Sequence, residues 1–394
     1  MAQIEPNGAK RGGSRVVLFA LAVLVALLWS PIGSHLRAAS LLTRFATKDA
    51  SGALATMASH PVDDRALTLA GPRGAFPSRL YTPRDMANAP GVVIVHGVHH
   101  TGIDEPRLVR FARTIAAAGV VVLTPEIAEL RDYHVDTKSL DTIGASVHAL
   151  RERVGRTTVG VVGLSFGGGL ALLAATDPRS RDEIGFVVAV GAHDDLARVS
   201  HFFATNDIRG PSGATVDLRA HEYGPLVLVY SHIEDFFPKD DVPAATDALR
   251  LWLWEQRDDA RARLPALGPE ARAKMERLFG GDIASITPEI LVEIEKNSQA
   301  MSAVSPHSRM GNVHVPVFLL HGAGDTVIPP SETLWLAADL PPDVVKDVLV
   351  SSALVHVELE AAPSVAEMWA LVHFMADVLA EADRAEFPSS NPAH

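Results

Sequence analysis

The 394-residue chain has no cysteine. Disulfides, thiolate metal sites and a cysteine nucleophile are therefore excluded, and the absence fits export without requiring it. Positive charge is also short, with 35 Lys and Arg against 47 Asp and Glu and neither sign gathered into a long run. A chain without a basic face cannot neutralise a row of phosphates, so nucleic acid is excluded as a partner. Internal repeats and low-complexity tracts are missing as well. What is present is apolar residues, 47% of the chain, enough for a large core. The length admits two average domains or one α/β core with an insertion.

Only one long hydrophobic run exists, the 14 residues from Val16 to Trp29, with Lys10, Arg11 and Arg15 ahead of it. Extended through Gly33 it reaches about 18 residues, or ~27 Å of helix, nearly a bilayer core. Residues 1–33 therefore read as a cytoplasmic tail and an uncleaved signal anchor that holds the chain to a membrane through 16–33. A cleaved signal peptide is the alternative, with Ala38-Ala39-Ser40 as an acceptable but distant cleavage region. The first reading expects a membrane-anchored protein with an exported catalytic domain, the second a secreted or periplasmic one. Residues 34–64 read as a linker holding a short helix, because they are small, mixed and rich in Ala and Ser.

From residue 65 the pattern alternates. Segments 66–70 and 78–81 flank Gly71-Pro72-Arg73-Gly74, a hairpin signal. Continuous apolar runs at 91–95, 120–123, 159–162, 186–190 and 315–320, and a further strand at 345–350, are separated by helix-forming stretches. Strands without polar alternation are buried on both faces. Alternation with helices makes a doubly wound, mostly parallel α/β sheet. Between 195 and 313 the alternation breaks into amphipathic helical segments near 242–263, 269–279 and 288–301. The expected organisation is a core of 65–194 and 314–384 with a helical cap at 195–313.

The chemistry centres on Gly163-Leu164-Ser165-Phe166-Gly167, where a β-branched strand turns at once into a helix. Glycines at 163 and 167 allow a sharp, strained turn that lifts Ser165 off the sheet edge, above the amide of Phe166 and the helix N-terminus. A serine needs a base to take its proton. His356, in the loop after the last strand, is the candidate, while His373 within the last helix is explained by packing. Asp325, in Gly322-Ala323-Gly324-Asp325 after strand 315–320, can orient an imidazolium, and a turn-forming Asp is the plainer reading. Asp194 and Asp195, just after strand 186–190, are rivals for the same task. In His96-Gly97-Val98-His99-His100, an amide near glycine, most simply that of Val98, can join Phe166 in an oxyanion hole. Three histidines there raise a metal site, but nothing elsewhere is spaced to complete it. No metal and no cofactor are expected.

The order Ser165, Asp325, His356, with His96-Gly97 upstream and Gly-x-Ser-x-Gly on a strand-to-helix turn, resembles the α/β-hydrolase superfamily over about residues 65–381. The resemblance implies that fold, with Ser165 as nucleophile, His356 as general base and acid, and Asp325 as the orienting carboxylate. Val98 and Phe166 become oxyanion donors, and 195–313 the variable cap. The core also looks like the dienelactone-hydrolase branch, which commonly has Cys where this chain has Ser165. The implied activity is a serine esterase or lipase acting on a small-molecule or lipid-like ester. Acyl transfer to an alcohol, peptidase action and a non-catalytic hydrolase-like binding domain are the alternatives. Leu249-Arg250-Leu251-Trp252-Leu253-Trp254 suits either an acyl pocket or ordinary packing.

Overall fold

The apolar runs assemble into an eight-stranded sheet in the computed structural model, which describes residues 32–47, 50, 52–215, 217–355, 358–359 and 364–385. Strands are β1 (Val62–Gly71), β2 (Gly74–Pro83), β3 (Gly91–Val95), β4 (Val121–Pro125), β5 (Val159–Leu164), β6 (Ile184–Val190), β7 (Val317–Gly322) and β8 (Val345–Ser351). Their spatial order is β1-β2-β4-β3-β5-β6-β7-β8. The β1–β2 hairpin and the β2–β4 pair are antiparallel, and every later pair is parallel. Strands β3 and β4 are buried along their whole length, as a sheet covered on both faces requires. The hairpin strands run longer than their apolar centres suggested. Asp63, Asp64 and Arg65 belong to β1, where charge suits an edge strand that pairs on one side only.

Two hydrophobic cores cover the two faces. On one face, helices Ser139–Val154, Phe166–Ala174 and Ser331–Asp339 bury Leu150, Leu170 and Leu336. On the other, helices Pro106–Ala117 and Val365–Asp383 bury Ile115, Phe374 and Leu379. A further helix on this second face spans residues 32–46. Residues 34–64, expected to be a linker, are thus part of the body in their first half. Ala38, Leu41, Leu42 and Phe45 are spaced i, i+3, i+4, i+7, a helical stripe that the Ala- and Ser-rich composition masked. Ala38 and Leu41 are fully buried. Arg37 Nε donates to the Ala118 carbonyl at 2.8 Å, and its guanidinium pairs with Asp383 on the last helix. His373, exposed on that helix, meets His35 at 3.1 Å.

Among the described residues no helix is long and apolar enough to cross a membrane. The anchor expected at 16–33 lies outside the described residues, apart from its last two positions.

Between β6 and β7 the chain builds a third, separate cluster of helices. It includes Leu196–Thr205, Tyr223–Ser231, Val242–Leu253, Pro269–Phe279 and Thr287–Lys296. Trp252 is at its centre, stacked on Phe279 at 3.9 Å with the Arg257 guanidinium 4.0 Å over the same ring. The long amphipathic segment expected at 242–263 is broken after Leu253. Glu255 takes a left-handed backbone there (φ 62) and ends the helix.

This topology decides where a ligand binds. The chain leaves β3 for β4 on one side and returns to β5 on the other. The strand order therefore switches beside β3, and a crevice opens at its carboxyl end. The loops after β3 and β5 carry His96–His100 and Ser165.

Candidate active site

Ser165 stands between β5 and its helix with φ 53 and ψ −131, a conformation L-residues rarely adopt. Such strain costs of order 1–3 kcal/mol and persists only where the surroundings impose it. They do so here. A side chain on Gly163 would meet the Gly167 carbonyl at 2.3 Å, and one on Gly167 would meet the His96 carbonyl at 2.5 Å. The turn is therefore wedged between strand and loop, and only glycine fits at either side of it.

The loop after β3 lies against the serine. A Cβ on Gly97 would sit 3.1 Å from Ser165 Cβ and 3.7 Å from its Oγ. Three contacts hold this loop. His96, buried, accepts at Nε2 from the Ile127 amide (3.0 Å) while its Nδ1 is 2.7 Å from the Gly97 carbonyl. That pattern makes it the neutral Nδ1–H tautomer, and burial lowers its pKa below the ordinary imidazole value. The Glu126 carboxylate accepts from the Ile103 amide at 3.0 Å. Tyr223, from the helical cluster, donates its hydroxyl to the Val98 carbonyl at 3.3 Å. The Val98–His99 peptide is thereby held from both sides, since the His99 amide donates to the Leu130 carbonyl at 3.3 Å. His99 and His100 stack on each other at 4.7 Å, and His100 stacks on Trp254 at 5.4 Å. His99 lines the crevice.

Asp325 follows β7 and is fully buried. Its Oδ1 accepts from the amides of Val327 (2.8 Å) and Ile328 (3.0 Å), and its Oδ2 is 3.5 Å from His321 Nε2. His321 in turn bonds the Ile328 carbonyl and the Thr333 hydroxyl, so the loop carrying Asp325 is fixed from beneath. The loop after β8 is tied to it, because the Ala323 amide donates to the Ser351 carbonyl at 2.9 Å. His356 itself lies outside the described residues.

The rival acids are otherwise engaged. Asp195 caps its helix, accepting from the amides of Ala197 and Arg198. Asp194 pairs with Arg198 at 2.7 Å, and Arg198 also holds the buried Glu332 at 2.6 Å. Burial pushes Asp194 up to about 6, against the pull of Arg198.

Ser165, Gly97, Val98, Tyr223 and Thr326 all line one cavity of about 470 Å³. Trp252 and Leu253 reach its wall, whereas Leu249 is wholly buried in the helical cluster. The stretch 249–254 thus contributes to both the pocket and the packing. Sequence reasoning missed Tyr223 and Glu126, since each acts through a contact with a residue far away in the chain, and His321, whose contacts are local but carry no spacing signal. The arrangement offers a buried hydroxyl on the cavity wall, two candidate amide donors and a rigidly bonded carboxylate.

No family model and no curated protein matches the chain. Solved structures do. A Legionella pneumophila protein described as a hydrolase superposes with a TM-score of 0.53 at 15% identity, over 87% of this chain and 94% of that one. An esterase of Pyrobaculum calidifontis gives 0.47 at 16% identity, over 90% and 93%. 2-Hydroxy-6-oxo-6-phenylhexa-2,4-dienoate hydrolase of a Rhodococcus strain gives 0.44 at 17% identity, over 82% and 100%. The strand order, the first of these likenesses and the elbow at Ser165 agree on the class: the chain has the α/β-hydrolase fold.

Proposed function

We propose that the protein is a serine hydrolase that cleaves carboxylic esters through an acyl-enzyme on Ser165. The observation that carries this reading is the strained elbow, which presents Ser165 on the wall of the cavity beside Gly97 and Val98. Strain of this kind is a cost without return unless the hydroxyl is used. In the reaction, His356 takes the Ser165 proton as Oγ attacks the ester carbonyl, and Asp325 steadies the resulting imidazolium. The amides of Phe166 and Val98 receive the developing oxyanion, where a single donor is worth about 10²–10³ in rate. His356 then protonates the departing alcohol, and water repeats the attack on the acyl group. Asp325 is preferred to Asp194 because Asp194 is already committed to Arg198.

A fluorophosphonate probe should label Ser165 in the folded protein and leave Ser165→Ala unlabelled. Absence of labelling in the wild type would end the proposal. From the apolar run Val16 to Trp29 we further propose that the catalytic body lies outside the cytoplasm, held by residues 16–33 or released if they are removed. Protease accessibility in intact cells tests it, and protection of the body until lysis would refute export.

A further inference from the structure

The cavity at Ser165 has two limbs of opposite character. Toward the helical cluster it is ringed by His99, Glu105, Arg107, Glu222, Glu255 and Arg257. Away from it, past the carboxyl ends of β5 and β6, the cavity passes behind the sheet. Its sheet wall there is Val190, Val188 and Phe186 of β6 with Val162 of β5. Residues two apart on a strand share a face, and this face belongs to the second core. The opposite wall comes from three helices: Leu41 and Phe45 on 32–46, Phe111 on Pro106–Ala117, and Phe374 and Leu379 on Val365–Asp383. The side chains named on both walls of this limb are all apolar. It is a slot through what would ordinarily be solid core.

We infer that this slot binds the acyl chain of the substrate, and that the enzyme acts on esters of a long straight acyl chain with a polar alcohol. The inference rests on the serine hydrolase reading and names its substrate class. Direction follows from the order of events. The alcohol leaves first and water enters while the acyl group is still bound to Ser165, so both must use the polar limb and the chain must occupy the other. Length follows from the strand. Val190 to Phe186 is four residues, roughly 13 Å at the ~3.3 Å rise of a parallel strand. An extended chain advances about 1.2 Å per bond, so about ten to twelve carbons fill that depth. Each methylene taken out of water is worth about fourfold in kcat/KM until the slot is full.

Nitrophenyl esters from two to sixteen carbons, assayed on wild type, Val188→Phe and Leu379→Phe, test the inference. Wild-type kcat/KM should climb with chain length and level off near ten to twelve carbons. Each Phe variant should lower the ratio of dodecanoate to butyrate rates at least tenfold. Taking the ratio within one variant cancels losses from partial unfolding, which lower both rates together. Binding of a fluorescent dodecanoate to Ser165→Ala, with and without Val188→Phe, reads the slot apart from catalysis. A wild-type preference for two to four carbons, or Phe variants that keep the ratio, overturns the inference while leaving the hydrolase reading intact. Dodecanoate bound and displaced by Val188→Phe in a protein that cleaves no ester would sink the hydrolase reading and keep the slot.

Discussion

Ser165 is held in a left-handed conformation that a Cβ makes costly. Ser165→Gly and Ser165→Ala both remove the hydroxyl, but only Gly also removes the strain. Strain of about 1–3 kcal/mol is relieved, less the roughly 0.4–1 kcal/mol by which Gly loosens the unfolded chain. Ser165→Gly should therefore be about 1 kcal/mol more stable than Ser165→Ala, measured by urea unfolding, with both inactive. Equal stability would mean that the elbow is unstrained. Tyr223 offers a second test at this scale. Tyr223→Phe deletes one hydrogen bond to the Val98 carbonyl, worth about 0.5–1.5 kcal/mol. The loss should appear as a few-fold to tenfold drop in kcat with KM little changed, since the loop it steadies serves the transition state. A change in KM alone would instead make Tyr223 a substrate contact.

Elements show where the sequence was readable and where it was not. Strands β3 to β7 announce themselves as continuous apolar runs, because burial on both faces leaves no polar positions. The elbow is equally legible, since its five-residue spacing is local and Gly163 is demanded by the turn itself, although Gly167 is demanded by the distant His96 carbonyl. Helix 32–46 was hidden: its stripe of Ala38, Leu41, Leu42 and Phe45 is diluted by Ser, Thr and Arg, and its partner is a helix more than three hundred residues later. Tyr223 was hidden for the same reason, its meaning lying in the distant Val98 carbonyl it touches. The helix is structural, and a cavity left at Leu41 makes the point. Leu41→Ala should cost about 2–4 kcal/mol in unfolding free energy. A cost below about 0.5 kcal/mol would make 32–46 the loose linker its composition suggests.

At the scale of the whole molecule, acid should act through buried neutral histidines. Burial lowers the pKa of His193, as it does that of His96. Below about pH 6.5 the unfolded chain takes up these protons and the folded one does not, so their contribution is full above 6.5 and lost as pH falls. Asp194 works in the opposite sense, because a folded pKa pushed up to about 6 binds its proton more tightly than the unfolded chain does. The difference between His193→Gln and wild type separates the two. Between pH 7.5 and 5.5 the variant should gain stability relative to wild type, measured by urea midpoints at each pH. A difference that stays constant would show that His193 does not titrate on unfolding.

The pairing of Arg37 with Asp383 also has a consequence for how the chain is made. On the sheet's second face, helix 32–46 leaves the ribosome more than three hundred residues before its neighbour Val365–Asp383. Until Val365–Asp383 has emerged, the apolar row Phe186, Val188 and Val190 lacks the cover of Phe374 and Leu379, and Arg37 lacks Asp383. A nascent chain in that state exposes a greasy sheet face from the making of β6 until that helix arrives, a state prone to aggregation. Ribosome-stalled chains ending before 365 should accordingly bind a hydrophobic dye and be cut readily within 32–46, and chains stalled well beyond 385 should resist both.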